Sequence, residues 1–388
     1  MKKKLALAML LSSALVSAAR AETPIKIGFI AELSGPPAVL GTDQYDGFML
    51  AVERNGGKLG GKEVKVFKED SQLRPEVGIQ AARKLIDQEG VQIITGITFT
   101  NIMMAVLRPI TEKEVFIVGT MAGPAPIAGA QCSPYLFMAS WQNDVLAEVM
   151  GQYASEQGYK RVVALAPNYQ AGKDYIAGFK RYYKGEIVDE IYTPLNQLDF
   201  SAELTQLASH QPDAAFIFYP GGLGINFVRQ YNLLGLNQKI PLLTASTVDG
   251  TTLPAMKETA LGVMSGSHWG PDLDNAENKE FIAAFKEKYG RMPSQYAAQS
   301  YDAALLLGSA IAQVDGNLDD KQAFMKAMKV ADFNATRGKF RFGNNNFPIQ
   351  DMYALKVVKG DDGQATLSTV AVPFKDHQDA YHAECPMS

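Results

Sequence analysis

From Ile25 onward the chain alternates short, unbroken apolar runs with amphipathic stretches, and the alternation restarts once, after the segment Phe137 to Trp141. Apolar runs without polar interruption mark strands buried on both faces, and amphipathic stretches between them supply crossover helices, so the pattern predicts parallel sheets wrapped by helices. The first strand is expected over Ile25 to Ala31 (IKIGFIA), then a loop with Ser34, Gly35, Pro36 and Pro37, then a helix from about Thr42 to Arg54. Strands at Val64 to Phe67, Val91 to Thr95 and Val115 to Val118 alternate with helices at Pro75 to Gln88 and Ile102 to Lys113, giving a doubly wound lobe of four strands. Five more strands, at Arg161 to Ala166, Ile187 to Tyr192, Ala214 to Tyr219, Pro241 to Thr244 and Val263 to Ser267, give a second lobe of the same design. Helices at Ala276 to Tyr289 and Gln295 to Val314 come too late to belong to the second lobe alone. The chain is therefore expected to return to the first lobe after about Trp269 and to cross once more near Phe347. The expected division is lobe one over 22–140 plus 270–347, lobe two over 141–269 plus 348–374, and a C-terminal tail over 375–388 returning to lobe one. Two such lobes on a hinge enclose a cleft at the carboxyl ends of their strands, where open α/β sheets place ligands.

The first 21 residues stand outside this pattern. Lys2, Lys3 and Lys4 precede an apolar run from Leu5 to Val16 and the small-residue site Ala19-Arg20-Ala21, the three parts of an export signal cleaved after Ala21. The apolar run is too short to span a bilayer of ~30 Å. Without residues 1–21 the 37 basic residues fall to 33 against 41 acidic, a formal charge of −8. With no basic cluster left, the composition argues against nucleic acid and against anionic lipid as partners. Export also changes how Cys132 and Cys385, the only two cysteines, should be read. An oxidising compartment lets them close a bridge; the other reading is a metal site in the tail, where His377, His382 and Cys385 stand near Asp376, Asp379 and Glu384. That spacing matches no common zinc pattern, so the bridge is preferred and no metal is expected.

A search for reactive groups returns little. Gly56, Gly61 and Lys62 mimic a phosphate-binding loop, yet Glu63 stands where a hydroxyl should reach magnesium, and the stretch leads into a strand rather than a helix; a hairpin-like turn is the better reading. Gly222-Leu223-Gly224 opens a helix after a strand, but Phe227 replaces the third glycine of a dinucleotide fingerprint, so these glycines are read as letting backbone approach a ligand. Ser267 and His268 are adjacent in a strand and point to opposite faces, which disfavours them as a catalytic pair. Only four histidines exist, two of them in the tail, leaving little acid–base equipment near neutral pH. No cofactor and no catalysis are expected.

The strand ends carry hydroxyl and aromatic groups instead. Ser34 follows the first strand, Thr98, Thr100 and Asn101 the third, and Thr120 the fourth. Helix starts at these points offer free N–H groups, so lobe one reads as a surface that holds a carboxylate. Lobe two supplies Tyr169, Tyr219, Ser246, Thr247 and Asp249, with Trp269 at a crossing.

Taken together, IKIGFIAELSGPPAVLG, GVQIITG leading to Thr98-Phe99-Thr100-Asn101, the segment Asn168 to Asp174, and YAAQSYDAA at Tyr296 to Ala304 resemble periplasmic ligand-binding proteins of the leucine/isoleucine/valine type, which feed ABC importers. The resemblance runs from Ile25 to the tail. It implies the type I periplasmic-binding fold, two doubly wound lobes on a three-stranded hinge that close on a small solute, and periplasmic location. In the amino-acid-binding members a backbone-and-hydroxyl cradle holds the ligand carboxylate, matching Thr100, Thr120 and Met121 here, and a residue tuning side-chain fit matches Leu40. The acidic residue that holds the ligand ammonium has no direct match: the stretch reads Ala245-Ser246-Thr247-Val248, with Asp249 displaced. Cys132-Ser133-Pro134-Tyr135, Ser140 to Asp144 and the Cys385 tail are similar to the subgroup associated with aromatic and other non-amino-acid carboxylates.

The expected ligand-binding set is Ser34, Leu40, Thr98, Phe99, Thr100, Asn101, Thr120 and Met121 from lobe one, and Tyr169, Tyr219, Gly222, Thr247, Asp249 and Trp269 from lobe two. The expected function is capture of a small carboxylate, aromatic in character, for delivery to the membrane permease of an ABC importer by a monomeric protein. An amino-acid-binding member of the same family and a sensor subunit with the same fold are the alternatives, and a hydrolase would need a nucleophile that the sequence does not supply.

Overall fold

The structure, a computed structural model, describes residues 23–387, so the expected export signal lies outside the described residues. Lobe one opens with β1 (Ile25–Ala31), α1 (Ala38–Arg54), a hairpin of β2 (Lys58–Leu59) and β3 (Lys62–Asp70), and α2 (Pro75–Arg83), which runs on as a wider π-helical turn through Glu89. It continues with β4 (Ile93–Gly96), α3 (Thr100–Thr111), β5 (Phe116–Gly119), the short α4 (Ala125–Ala128) and β6 (Leu136–Met138). The sheet order is β2-β3-β1-β4-β5-β6, parallel except for the β2–β3 hairpin. Six strands stand where four were expected. The two additions are two and three residues long, too short to show a period of their own. The hairpin falls where the Gly56 to Lys62 stretch reads as a turn.

The second sheet is fed by α5 (Asn143–Glu156), β7 (Arg161–Pro167), α6 (Gln170–Tyr182), β8 (Glu186–Thr193), α7 (Ser201–Ser209) and β9 (Ala214–Ile217). Then come α8 (Gly222–Leu233), β10 (Leu242–Ala245), α9 (Leu253–Met256) and β11 (Met264–Ser267). The helices α10 (Ala276–Tyr289), α11 (Gln295–Gln313) and α12 (Lys321–Val330) pack back on the first sheet. There Phe281, Phe285, Leu307 and Phe324 share one buried cluster with Phe29, Ile93 and Phe116. Finally β12 (Arg341–Phe342), β13 (Pro348–Lys359) and β14 (Ala365–His377) extend the second sheet, whose order is β12-β13-β11-β10-β9-β7-β8 with β14 on β13. The chain thus passes between the sheets after β6, after β11 and before β12.

A buried ion pair ties two of these crossings together. Arg337 donates from Nε to Asp302 in α11 (2.9 Å), from Nη2 to the Ala139 carbonyl (2.6 Å), and from Nη1 to the Ser140 carbonyl (3.2 Å) and Gln350 Oε1 (3.0 Å). Each of the three guanidinium nitrogens has an acceptor, the condition under which a buried charge is tolerated.

The Cys132–Cys385 disulfide is present, with Cα atoms 5.7 Å apart, and no group of metal-ligating side chains occurs among the described residues. β14 runs to His377, so the tail leaves lobe two three residues later than expected. Beyond it Tyr381 donates to Asp144 Oδ2 (2.9 Å) and accepts from Arg181 (3.2 Å), both in lobe two, while Asp379 accepts from Asn345 (3.0 Å). The tail is therefore a strap, bridged covalently to lobe one and hydrogen-bonded to lobe two. Among the described residues no helix is long and apolar enough to cross a membrane.

Candidate functional site

On the lobe-one side, the chain turns sharply at the end of β4. Gly96 has φ +96°, and a Cβ there would lie 2.3 Å from the Ile30 carbonyl oxygen, so only glycine lets the turn approach β1 this closely. The turn delivers Phe99 as the residue before α3, with no side-chain cap. As a result the N–H groups of Thr100 and Asn101 have no acceptor among the described residues, and neither does that of Met121 after β5. The Thr100 hydroxyl accepts from Asn143 Nδ2 (3.1 Å), which leaves its own proton free to donate.

Two other hydroxyls of this edge are already committed. Thr98 Oγ1 donates to Gln44 Oε1 (2.7 Å), and Gln44 Nε2 donates to Thr120 Oγ1 (2.8 Å). Gln44 reaches them from α1, and Gln299 of α11 donates to the Thr120 carbonyl. These threonines brace the edge from within. Glu32, fully buried beside Thr98, accepts from Ser71, and burial pushes its carboxyl up to about 7.

Lobe two presents a stack of rings. Tyr175 and Phe218 lie parallel with centroids 3.8 Å apart, and Tyr169 lies near-parallel to Phe218 at 6.3 Å. Tyr175 Oη is hydrogen-bonded to Ser246 Oγ (2.8 Å), and burial raises the pKa of both tyrosines, keeping them neutral.

Between these surfaces lies a cavity of about 20 Å³. Of the expected residues it brings together Thr98, Phe99, Thr100, Met121 and Tyr169. Ala122, Trp141 and Asn143 also line it, as do Ala171, Tyr175, Phe218 and Pro220 of lobe two; none of these is in the expected binding set, although Trp141, Asn143 and Ala171 lie in segments that carry the resemblance. No lining side chain carries a formal charge. At the outer edge the lobes touch: a Cβ on Gly222 would meet Pro36 Cβ at 3.2 Å, and one on Gly221 would meet Leu40 Cδ1 at 3.5 Å.

The remaining expected residues sit elsewhere. Ser34 is exposed on the loop after β1, outside the cavity wall. Leu40 and Gly222 belong to the closed edge rather than the cavity wall. Asn101 bonds weakly to the Leu73 carbonyl (3.5 Å). Tyr219 turns into the core of lobe two, where its hydroxyl meets that of Thr193 (3.2 Å). Strand alternation sends its neighbour Phe218 to the cleft instead, and that period was the signal available in the sequence. Thr247 accepts from the Tyr219 N–H (2.8 Å) and donates to the Ala245 carbonyl. Trp269 Nε1 is held by Asn278 (2.7 Å). Asp249 accepts from Thr251, Thr252 and the Tyr296 hydroxyl (2.8 Å). Both Trp269 and Asp249 line a second cavity, of about 320 Å³, beside the Arg291 to Gln295 loop.

A family model described as periplasmic binding protein matches residues 24–364. A protein described as Leu/Ile/Val-binding protein homolog 6, from Brucella melitensis biotype 1, is 28% identical over 93% of this chain and 94% of its own. An ABC-transporter solute-binding protein from R. palustris, solved in complex with benzoate, superposes with a TM-score of 0.88 at 28% identity, covering 94% of this chain and 100% of that one. A second, from Rhodopseudomonas palustris BisB5 in complex with 3,4-dihydroxy benzoic acid, gives 0.85 at 29% identity over 92% of this chain and 99% of its own.

Proposed function

Because this chain belongs to the periplasmic binding protein family, whose members are solute-binding components of transporters, we propose that it captures a small aromatic carboxylate between its lobes and presents it to the membrane permease of an ABC importer. The observation that carries this reading is the lining of the cavity: free N–H groups and a hydroxyl on one side, stacked rings on the other, and no charged side chain at all. Free N–H groups at a helix start suit a carboxylate, and flat ring faces suit an aromatic body. An α-amino acid would bring an ammonium with nothing opposite it. Asp249, the one acid near the cleft end of β10, is turned away and fully hydrogen-bonded by Thr251, Thr252 and Tyr296. Burying an unpaired ammonium costs several kcal/mol, enough to offset most of a micromolar affinity of roughly 8 kcal/mol. The benzoate and dihydroxybenzoate held by two similar proteins support the same ligand class.

Calorimetric titration with leucine, phenylalanine, benzoate and 4-hydroxybenzoate tests it. Binding of the aromatic acids with silence from both amino acids is expected. Tight binding of either amino acid with no heat from the two acids would overturn the reading.

A further inference from the structure

Trp141 stands where the chain first leaves lobe one, almost fully buried, and its indole forms part of the cavity wall. Its ring is fixed by the His268 imidazole at 4.9 Å and the Tyr296 ring at 6.1 Å. The indole Nε1–H is buried and makes no hydrogen bond to any described residue. Tyr175 Oη is near enough for the indole to favour its ionised form slightly, but that hydroxyl is bonded to Ser246 Oγ instead. A buried donor without an acceptor is rare and costly, so each instance calls for an explanation. Indole nitrogen can only donate. The ligand carboxylate, on the reading above, is served by the N–H groups of Thr100 and Met121 and by the Thr100 hydroxyl.

We infer that Trp141 Nε1–H, with Tyr175 Oη beside it, reads a ring hydroxyl on the ligand, so that the preferred solute is a hydroxylated aromatic acid rather than benzoate itself. This rests on the aromatic-carboxylate reading and adds a second recognition point to it. A ring hydroxyl fits both neighbours: its oxygen accepts from the indole N–H, and its proton goes to a Tyr175 lone pair left over from the bond to Ser246. A methyl or hydrogen at the same ring position leaves the indole donor unpaired.

The test compares benzoate with 3- and 4-hydroxybenzoate by calorimetry, on the unmodified protein and on Trp141→Phe. One of the two hydroxybenzoates should bind about tenfold tighter than benzoate, and Trp141→Phe should erase that preference, costing the favoured hydroxybenzoate about tenfold more affinity than it costs benzoate. A ratio that survives the substitution, or an equal loss for all three acids, overturns the inference and leaves the ligand class standing. Silence from all three acids on the unmodified protein overturns both. If Trp141→Phe fails to fold, judged by its melting curve, the unmodified protein still decides: benzoate binding as tightly as both hydroxybenzoates refutes the assignment.

Discussion

Glu32 is held by one oxygen only, since Ser71 donates to Oε1 while the buried Oε2 has no partner. Burial dominates, and its carboxyl titrates near 7 instead of 4.5. The folded state therefore binds the proton more tightly than the unfolded one, so this group's contribution to stability is fully present below about 4.5 and is lost as pH rises through about 7. Glu32→Gln keeps an acceptor for Ser71 and removes the titration. It is expected to be more stable than the parent at pH 8 by roughly 3 kcal/mol, with most of that advantage gone at pH 5. Urea titrations at the two pH values check this, and an equal difference at both would exclude Glu32 as the source. The same edge shows what a sequence conceals at this scale. Thr98, Thr100 and Thr120 look alike there, as hydroxyls after strands. What separates them is Gln44, which reaches two of the three from a helix that sequence reasoning treated as an amphipathic stretch. That helix starts at Ala38, so Thr42 lies a turn inside it and caps nothing.

Two glycines at the start of α8 form the outer contact between the lobes. Pro36 approaches the backbone of Gly222 so closely that any Cβ would press on it. Gly222→Ala is expected to weaken ligand affinity severalfold, through incomplete closure, with the melting temperature of the ligand-free protein unchanged. Calorimetry beside a melting curve separates the two effects; undiminished affinity would mean that the lobes need not meet here. Most of the elements themselves were legible, because strands buried on both faces are written as plain apolar runs: β1 and the helix α10 match their expected bounds. What went unread includes β13, long and largely buried in a stretch expected only to belong to lobe two, and several elements with a weaker imprint. β2 and β6 are too short, and β14 is a partly exposed strand paired only with β13 and containing Pro373, which speaks against a strand in isolation.

For the molecule as a whole, the lobes are joined by three crossings and, on one side, by the strap of residues 378–385. Replacing both Cys132 and Cys385 with serine is expected to lower stability by about 2–4 kcal/mol, measured by urea unfolding, with mass spectrometry of a non-reduced digest confirming the crosslinked peptide in the parent. Unchanged stability would make the bridge ornamental. The two-lobed plan could be read from the restart of the alternation alone, because a βα rhythm repeats on the length scale of a sequence. The cavity could not, since Trp141, Tyr175 and Phe218 come from three separate segments whose convergence depends on how the lobes close. The bridge also imposes an order in time. Its cysteines stand 253 residues apart, and every described strand of both sheets precedes Cys385. A growing chain therefore carries an unpaired thiol at Cys132 while both lobes are being made, and any chain cut short between the two positions keeps that thiol, whatever else it has folded.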